Sequence, residues 1–249
     1  RHGAGQFSGV GCLSQRSGLP ATLSSVTRTL IGFPTFVDMA RYFLEVAYRG
    51  TNYSGYQAQE NAPTIQAALE RALEILDREN FELTGSSRTD AGVHANQNFF
   101  HFDRAEPLHP QAVYKLNAIL PGDVVVKRFY EVPAEAHCRF DAVARSYAYY
   151  VYRSKDPFLA DRAFYFPYTI DLDRMQAAAK MLMDYNDFTS FSKRNTQVKT
   201  FQCKIQQSEW VQHGETLIYR VRANRFLRGM VRALTSTQLL VGRGKIELA

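Results

Sequence analysis

Tyr42-Phe43-Leu44-Glu45-Val46-Ala47-Tyr48 decides how the chain is read, because it is the first stretch to carry the aromatic and β-branched run of a strand. Gly50-Thr51-Asn52-Tyr53-Ser54-Gly55 follows as a turn-rich loop, and Pro63 and Thr64 then suit a helix start. Ile65, Leu69, Leu73 and Leu76 recur behind them at helical spacing. Farther on, residues 86–94 read as a loop and Asn98-Phe99-Phe100-His101-Phe102 as a strand. Residues 110–119 read as a helix stopped by Pro121-Gly122, and Val124-Val125-Val126 begins another strand.

Ser146-Tyr147-Ala148-Tyr149-Tyr150-Val151-Tyr152 starts a second, similar half. Asp171 is placed to cap a helix through Leu172, Met175, Ala179 and Leu182. Strands are expected over residues 201–210 and 216–223, and a last helix over about 226–240. Strands and helices mix without the strict alternation that favours a purely parallel sheet, which predicts an α+β fold with a largely antiparallel sheet flanked by helices. Toward the N-terminus, the residues before Met39 are Ser-, Gly- and Thr-rich and carry no strand or helix period. The organisation read from these patterns is an extension over 1–38, disordered or non-native, an N-terminal α+β domain over 39–142 and a C-terminal one over 143–249.

Composition narrows the function class. At 45% hydrophobic and 22% charged, the chain is neither disordered nor fibrous, and no apolar run is long enough to cross a bilayer. Cys12, Cys138 and Cys203 are odd in number and far apart, which fits a reducing, cytoplasmic setting and indicates neither a disulfide framework nor a cysteine metal site. The net charge of +6 is unevenly placed. Between residues 192 and 249 lie eleven Lys or Arg against Glu209, Glu215 and Glu247, a local +8 that suits a phosphate-facing surface.

Four stretches carry candidate chemistry. Ser87-Arg88-Thr89-Asp90-Ala91-Gly92-Val93-His94-Ala95 sets an arginine, a carboxylate and a glycine between two structured segments. Taken alone, Asp before Gly reads as a turn, and His94 as a structural loop histidine. Residues 139–149 interleave Arg139, Phe140, Arg145, Tyr147 and Tyr149, which suits phosphate contact and base stacking, although strand tyrosines are commonly half-buried packing residues. Alternation along that strand places Tyr147 and Tyr149 on one side, Tyr150 and Tyr152 on the other. Around Asn224-Arg225-Phe226-Leu227-Arg228-Gly229-Met230-Val231-Arg232, helical spacing would put Arg225, Arg228 and Arg232 on one face, as a polyanion surface or a solvated one. Tyr53-Ser54-Gly55-Tyr56-Gln57-Ala58-Gln59 shows polar amides beside a glycine turn and no chemistry of its own.

Together these stretches resemble the tRNA pseudouridine synthase A family. The resemblance rests on Arg88-Thr89-Asp90-Ala91-Gly92-Val93-His94-Ala95, on Tyr53-x-Gly55-x-Gln57-x-Gln59, Thr64-Ile65-Gln66, Leu116-Asn117 with Leu120-Pro121, and Asp187-Phe188-x-x-Phe191. It extends to Asn224-x-Phe226-Leu227-x-x-Met230-Val231-Arg232 and Val241-Gly242-x-Gly244, all in family order between about residues 41 and 245. It implies a pseudouridine synthase fold of two ferredoxin-like halves. It also implies Asp90 as the catalytic aspartate, Tyr147 as the active-site tyrosine, Arg232 as the basic partner of that aspartate, and Arg88 as the residue that helps extrude the target uridine. Gln57, Arg225 and Arg228 complete the expected substrate contacts. The implied partner is tRNA, with uridines 38–40 of the anticodon arm as targets. A homodimer is implied as well, with no metal, no small-molecule cofactor and no membrane. A carboxylate nucleophile and a flipped base agree with that chemistry. Two departures stand out: the polar run Thr235-Ser236-Thr237-Gln238 after the helix arginine, and a closing helix and strand expected after Lys245, which makes the C-terminal half read as truncated. The competing readings are a non-catalytic RNA-binding protein of the same fold and a hydrolase using Asp90 with His94.

Overall fold

The computed structural model describes residues 6–10, 39–193 and 198–248. The expectation for residues 1–38 therefore lies, apart from residues 6–10, outside the described residues. A nine-stranded sheet runs in the order β5-β2-β4-β1-β6-β9-β8, with the short β3 on β4 and β7 on β6. These strands are β1 (Gln6–Val10), β2 (Ala40–Tyr48), β3 (Thr84–Gly85), β4 (His94–Arg104), β5 (Val124–Val132), β6 (Arg145–Tyr152), β7 (Phe164–Tyr165), β8 (Ile205–His213) and β9 (Thr216–Ala223). The helices are α1 (Ile65–Asp77), α2 (Ala112–Ile119), α3 (Leu172–Met181) and α4 (Met230–Gly242). Pairing is antiparallel except for β1 with β4 and β6 with β7, so the expected largely antiparallel α+β fold is what forms.

Each half buries its own core. In the first, Tyr42, Leu44, Val46 and Tyr48 alternate onto one face of β2, where Ile65, Leu69 and Leu73 of α1 and Leu116 of α2 close over them. Thr64 caps α1 by accepting the Ala67 N–H at 3.3 Å. In the second half, Tyr149 and Val151 of β6, Tyr219 and Val221 of β9 and Trp210 of β8 meet Met175 of α3 and Met230 and Leu234 of α4. Asp171 caps α3 through the Arg174 N–H at 3.0 Å. The polar Gln238 is spent inside this core, where it accepts from the Trp210 indole at 2.7 Å.

The strand order exposes a repeat. The first half reads β5-β2-β4-β3 and the second β1-β6-β9-β8, so β1 beside β6 occupies the place that β5 takes beside β2. This is the ferredoxin-like order in both halves. The patterning of residues 1–38 predicts no strand, whereas β1 pairs through its backbone with β4 and β6.

The last helix differs from its sequence reading. It begins at Met230 rather than near 226, because Gly229 at φ 76 takes a left-handed turn that an upstream helix could not continue through. Arg225 and Arg228 consequently lie on the segment leading into α4, and the expectation that they share a helical face with Arg232 does not hold.

The opposite face of the first half is sealed by a smaller cluster, Phe43, Phe99 and Cys138, with His101 stacked on Phe43. Burial, reinforced by His137 and Arg41 and opposed by Asp103 and Asp141, pushes the His101 pKa down to about 4. The folded protein therefore holds this ring neutral where an unfolded histidine, titrating near 6.5, takes a proton. Stability supplied by the neutral ring is full above about pH 6.5 and is lost as pH falls toward 4. His101→Gln should reduce the stability lost between pH 7 and pH 5 by roughly 2 kcal/mol, read from denaturant midpoints at the two pH values. An unchanged difference would show that His101 is not the group responsible.

Candidate active site

Residues 86–93 link β3 to β4 and lie in the seam between the two halves, bonded from both. The first half grips this loop from below. Asn98, fully buried on β4, accepts from Ser86 Oγ at 2.8 Å and donates to the Tyr48 hydroxyl at 3.2 Å and the Ser87 carbonyl at 3.4 Å. The Tyr48 and Thr89 hydroxyls are 2.8 Å apart, which fixes the residue beside Asp90. From the side, the Tyr56 N–H donates to the Thr89 carbonyl at 3.0 Å and the Gly92 N–H to the Tyr53 carbonyl at 3.4 Å. Gly55, at φ 114, lets the two loops meet, since a Cβ there would sit 3.1 Å from the Thr89 carbonyl oxygen.

The second half grips the same loop at three more points. Arg145, at the start of β6, donates through one nitrogen to the Ser86 carbonyl at 2.9 Å and the Arg139 carbonyl at 3.0 Å, and through the other to the Asn224 carbonyl at 3.1 Å. Arg232 of α4 donates to the Ala91 carbonyl at 3.2 Å and stands 3.9 Å from the Asp90 carboxylate. At the far end His94 Nδ1 accepts the Gly50 N–H at 3.1 Å, which leaves the proton on Nε2, 3.2 Å from the Asp161 carbonyl. Burial holds the His94 pKa below the usual histidine range, the Asp161 carbonyl opposing.

Asp90 is accessible on this rigid support, its side chain 38% exposed and that of Arg232 44%. An ion pair so open is worth at most about 1 kcal/mol, so it orients the carboxylate rather than holding the fold. Tyr147 points to the same side as Tyr149 and rests edge-on against Phe226, ring centres 5.1 Å apart. Burial raises its pKa above the usual tyrosine range, Arg145 opposing and the nearby Asp90 charge adding to the rise. Asp90, Tyr147 and Arg232 are thus brought together, although two of them come from the other half of the chain. Arg88 is exposed two residues before Asp90, and Gln57 is exposed beyond the Gly55 turn. Arg225 and Arg228 flank Phe226 and Leu227, with the Arg225 N–H donating to Asn224 Oδ1 at 2.9 Å.

Sequence reading passed over Asn98 and Asp161, and took Arg145 as a phosphate contact rather than a fastener. Arg145 was visible as part of an arginine and tyrosine pattern, but three carbonyl partners from three segments leave no sequence signal. His94 has both ring nitrogens committed to structure, which removes the base from the hydrolase reading. Among the described residues no group of three or more His, Cys, Asp or Glu converges as metal ligands would. What remains is an accessible carboxylate with a guanidinium and a neutral phenol beside it, a constellation suited to nucleophilic attack on an electrophilic ring or sugar carbon.

A family model described as tRNA pseudouridine synthase matches residues 45–141 and 178–249. Among curated proteins, a tRNA pseudouridine synthase A of Parabacteroides distasonis is 46% identical over 212 residues, covering 84% of each chain. One from Bacteroides thetaiotaomicron is 47% identical over 214 residues, covering 84% of this chain and 80% of that protein. One from Staphylococcus aureus is 37% identical over 212 residues, covering 84% and 79%.

The buried network under the loop can be tested without any substrate. Asn98→Ala leaves Ser86 and Tyr48 short of partners and should cost roughly 2 kcal/mol of stability. Amide exchange in residues 86–93 should accelerate in the variant well beyond what that global loss accounts for. Exchange that rises evenly over the whole first half would mean that Asn98 supports the core and not the loop.

Proposed function

Since the chain belongs to the tRNA pseudouridine synthase family, we propose that it isomerises uridine to pseudouridine in the anticodon stem-loop of tRNA, at positions 38–40, with Asp90 as the catalytic carboxylate. The observation that carries this is Asp90, exposed on a loop held from both halves with Arg232 3.9 Å away. The reaction breaks the bond between uracil N1 and the ribose, turns the base, and rejoins it through C5. The Asp90 carboxylate attacks the ribose carbon as uracil N1 leaves it, holds the ribose covalently while the base turns, and is displaced when C5 bonds to that carbon. When C5 bonds to the ribose its proton must leave, and N1 ends the reaction carrying one. Tyr147, kept neutral by burial, stacks on the loose uracil and relays the C5 proton through its hydroxyl. Arg232 orients Asp90.

A stacked base cannot reach Asp90, so the target uridine is flipped out at a cost of a few kcal/mol. Arg88, exposed beside Asp90, fills the space the base leaves, and Gln57, Arg225 and Arg228 hold the surrounding RNA. The second reading, RNA binding without chemistry, is disfavoured by Asp90 itself, since a carboxylate repels phosphate and has a place in a basic seam only through pairing or chemistry. No helix among the described residues is long and apolar enough to cross a membrane. A cytoplasmic homodimer acting on tRNA is the setting we propose.

Incubation with unmodified tRNA followed by pseudouridine mapping tests the reading directly. Asp90→Asn should abolish isomerisation while keeping tRNA affinity within about tenfold, or roughly 1.4 kcal/mol. Turnover in that variant would remove Asp90 from the mechanism. Tyr147→Phe should bind RNA normally and turn over more slowly, whereas Tyr150→Phe, on the opposite sheet face, should leave the chemical step nearly unchanged. Tyr147→Phe turning over at the wild-type rate would restrict Tyr147 to packing. The affinity for tRNA should fall steeply with salt, and Arg225→Ala or Arg228→Ala should each reduce that slope by about one phosphate contact. Slopes equal to wild type in both variants would return these arginines to solvent.

A further inference from the structure

Phe140 is 74% exposed on the segment that joins the two halves, although single exposed apolar side chains are ordinary and need no explanation. Its surroundings set it apart. The ring packs against that of His137, centres 4.2 Å apart and tilted by 37°, and the Arg139 guanidinium lies 5.8 Å from its centre. The His137 ring is itself set edge-on against His101 of β4 at 4.6 Å, so the platform is anchored to the sheet. The turn is tightened by the His137 N–H donating to Asp141 Oδ2 at 2.7 Å and the Phe140 N–H donating to the His137 carbonyl at 3.1 Å.

Location links this platform to the active site. One nitrogen of Arg145 reaches both the Arg139 carbonyl and the Ser86 carbonyl, so Phe140 stands beside the entrance to the 86–93 loop. Arg145 also reaches the carbonyl of Asn224, the residue before Arg225, at 3.1 Å, so the segments that carry Arg139, Arg145 and Arg225 meet here. None of the three forms an ion pair among the described residues, and Arg145 is bonded to carbonyls alone. The acid of the turn, Asp141, is engaged by the His137 N–H. An anchored, open aromatic ring beside guanidinium groups that form no ion pair matches an unpaired nucleobase with its phosphate.

We propose that Phe140 is a stacking platform for an unpaired nucleobase of the RNA substrate, distinct from the uridine that enters the site, with Arg139 and Arg225 meeting the adjoining phosphates. The inference rests on the reading that this chain acts on tRNA. It places one stacked nucleotide at the rim, so that RNA docks with a loop base on Phe140 and the target uridine at Asp90.

Phe140→Trp supplies a reporter, because the one native tryptophan, Trp210, is buried in the C-terminal core and gives a background measurable in the wild-type protein. Unmodified tRNA should quench the added emission saturably, and Phe140→Ala should raise the Kd for tRNA about fivefold or more while Phe140→Tyr stays near wild type. Stacking is overturned if tRNA binds in a filter assay without quenching, or if Phe140→Ala binds as tightly as wild type. It is also overturned if the added emission shifts to the blue with protein concentration and no RNA, since a second copy would then cover the ring. Quenching and affinity do not depend on turnover, so a wild-type protein that binds tRNA and forms no pseudouridine would sink the isomerase reading and leave this one to be judged on the fluorescence.

Discussion

The 86–93 loop is hydrogen-bonded from both halves of the chain at once, and the position of Asp90 depends on that. Asn98, Tyr48 and Tyr56 hold it from the first half, while Arg145 and Arg232 of the second donate to its carbonyls at 2.9 and 3.2 Å. Neither half by itself builds the site, because the carboxylate belongs to one and its guanidinium and phenol neighbours to the other. A small shift at the seam would therefore move the reacting groups relative to each other, the kind of misplacement to which positioned catalysis is most sensitive.

Burial and exposure are divided accordingly. Groups that set the geometry are taken out of water: Asn98 is fully buried, Thr89 and His94 nearly so, and each is satisfied by partners at close range. Buried polar groups of this kind are costly to leave unpaired, so the network confines the loop to one arrangement. Asp90 and Arg232 themselves remain over a third exposed, where RNA can reach them and their attraction contributes little to stability. Rigidity thus comes from groups buried away from the accessible face.

The same logic separates the two cationic roles. Arg145 spends its donors on three carbonyls and acts as a fastener between segments, whereas Arg88 and Arg228 are exposed on loops. A guanidinium has the fixed fork of donors that bridging requires, which a lysine in the same place would lack. Positive charge in this protein is accordingly structural in the seam and available to phosphate around it.

Sequence alone determined the helices, the long strands from β2 on and the fold class. Period and caps located α1 behind Thr64 and α3 behind Asp171, since capping and apolar spacing are local properties written in neighbouring residues. Alternation correctly put Tyr147 with Tyr149 on one side of β6, and motif order picked out Asp90 with Arg232 as a pair. The start of α4 was misplaced, because Phe226 and Leu227 continue the apolar period while the left-handed Gly229 interrupts the backbone. Only the tertiary structure decided that β1 fills the strand position beside β6, that Arg145 clasps Ser86, and that His94, read as a structural histidine, is held between Gly50 and Asp161. Those facts depend on main-chain carbonyls and N–H groups brought together from distant segments. Every residue carries the same backbone groups, so nothing in the side-chain pattern announces which of them will meet.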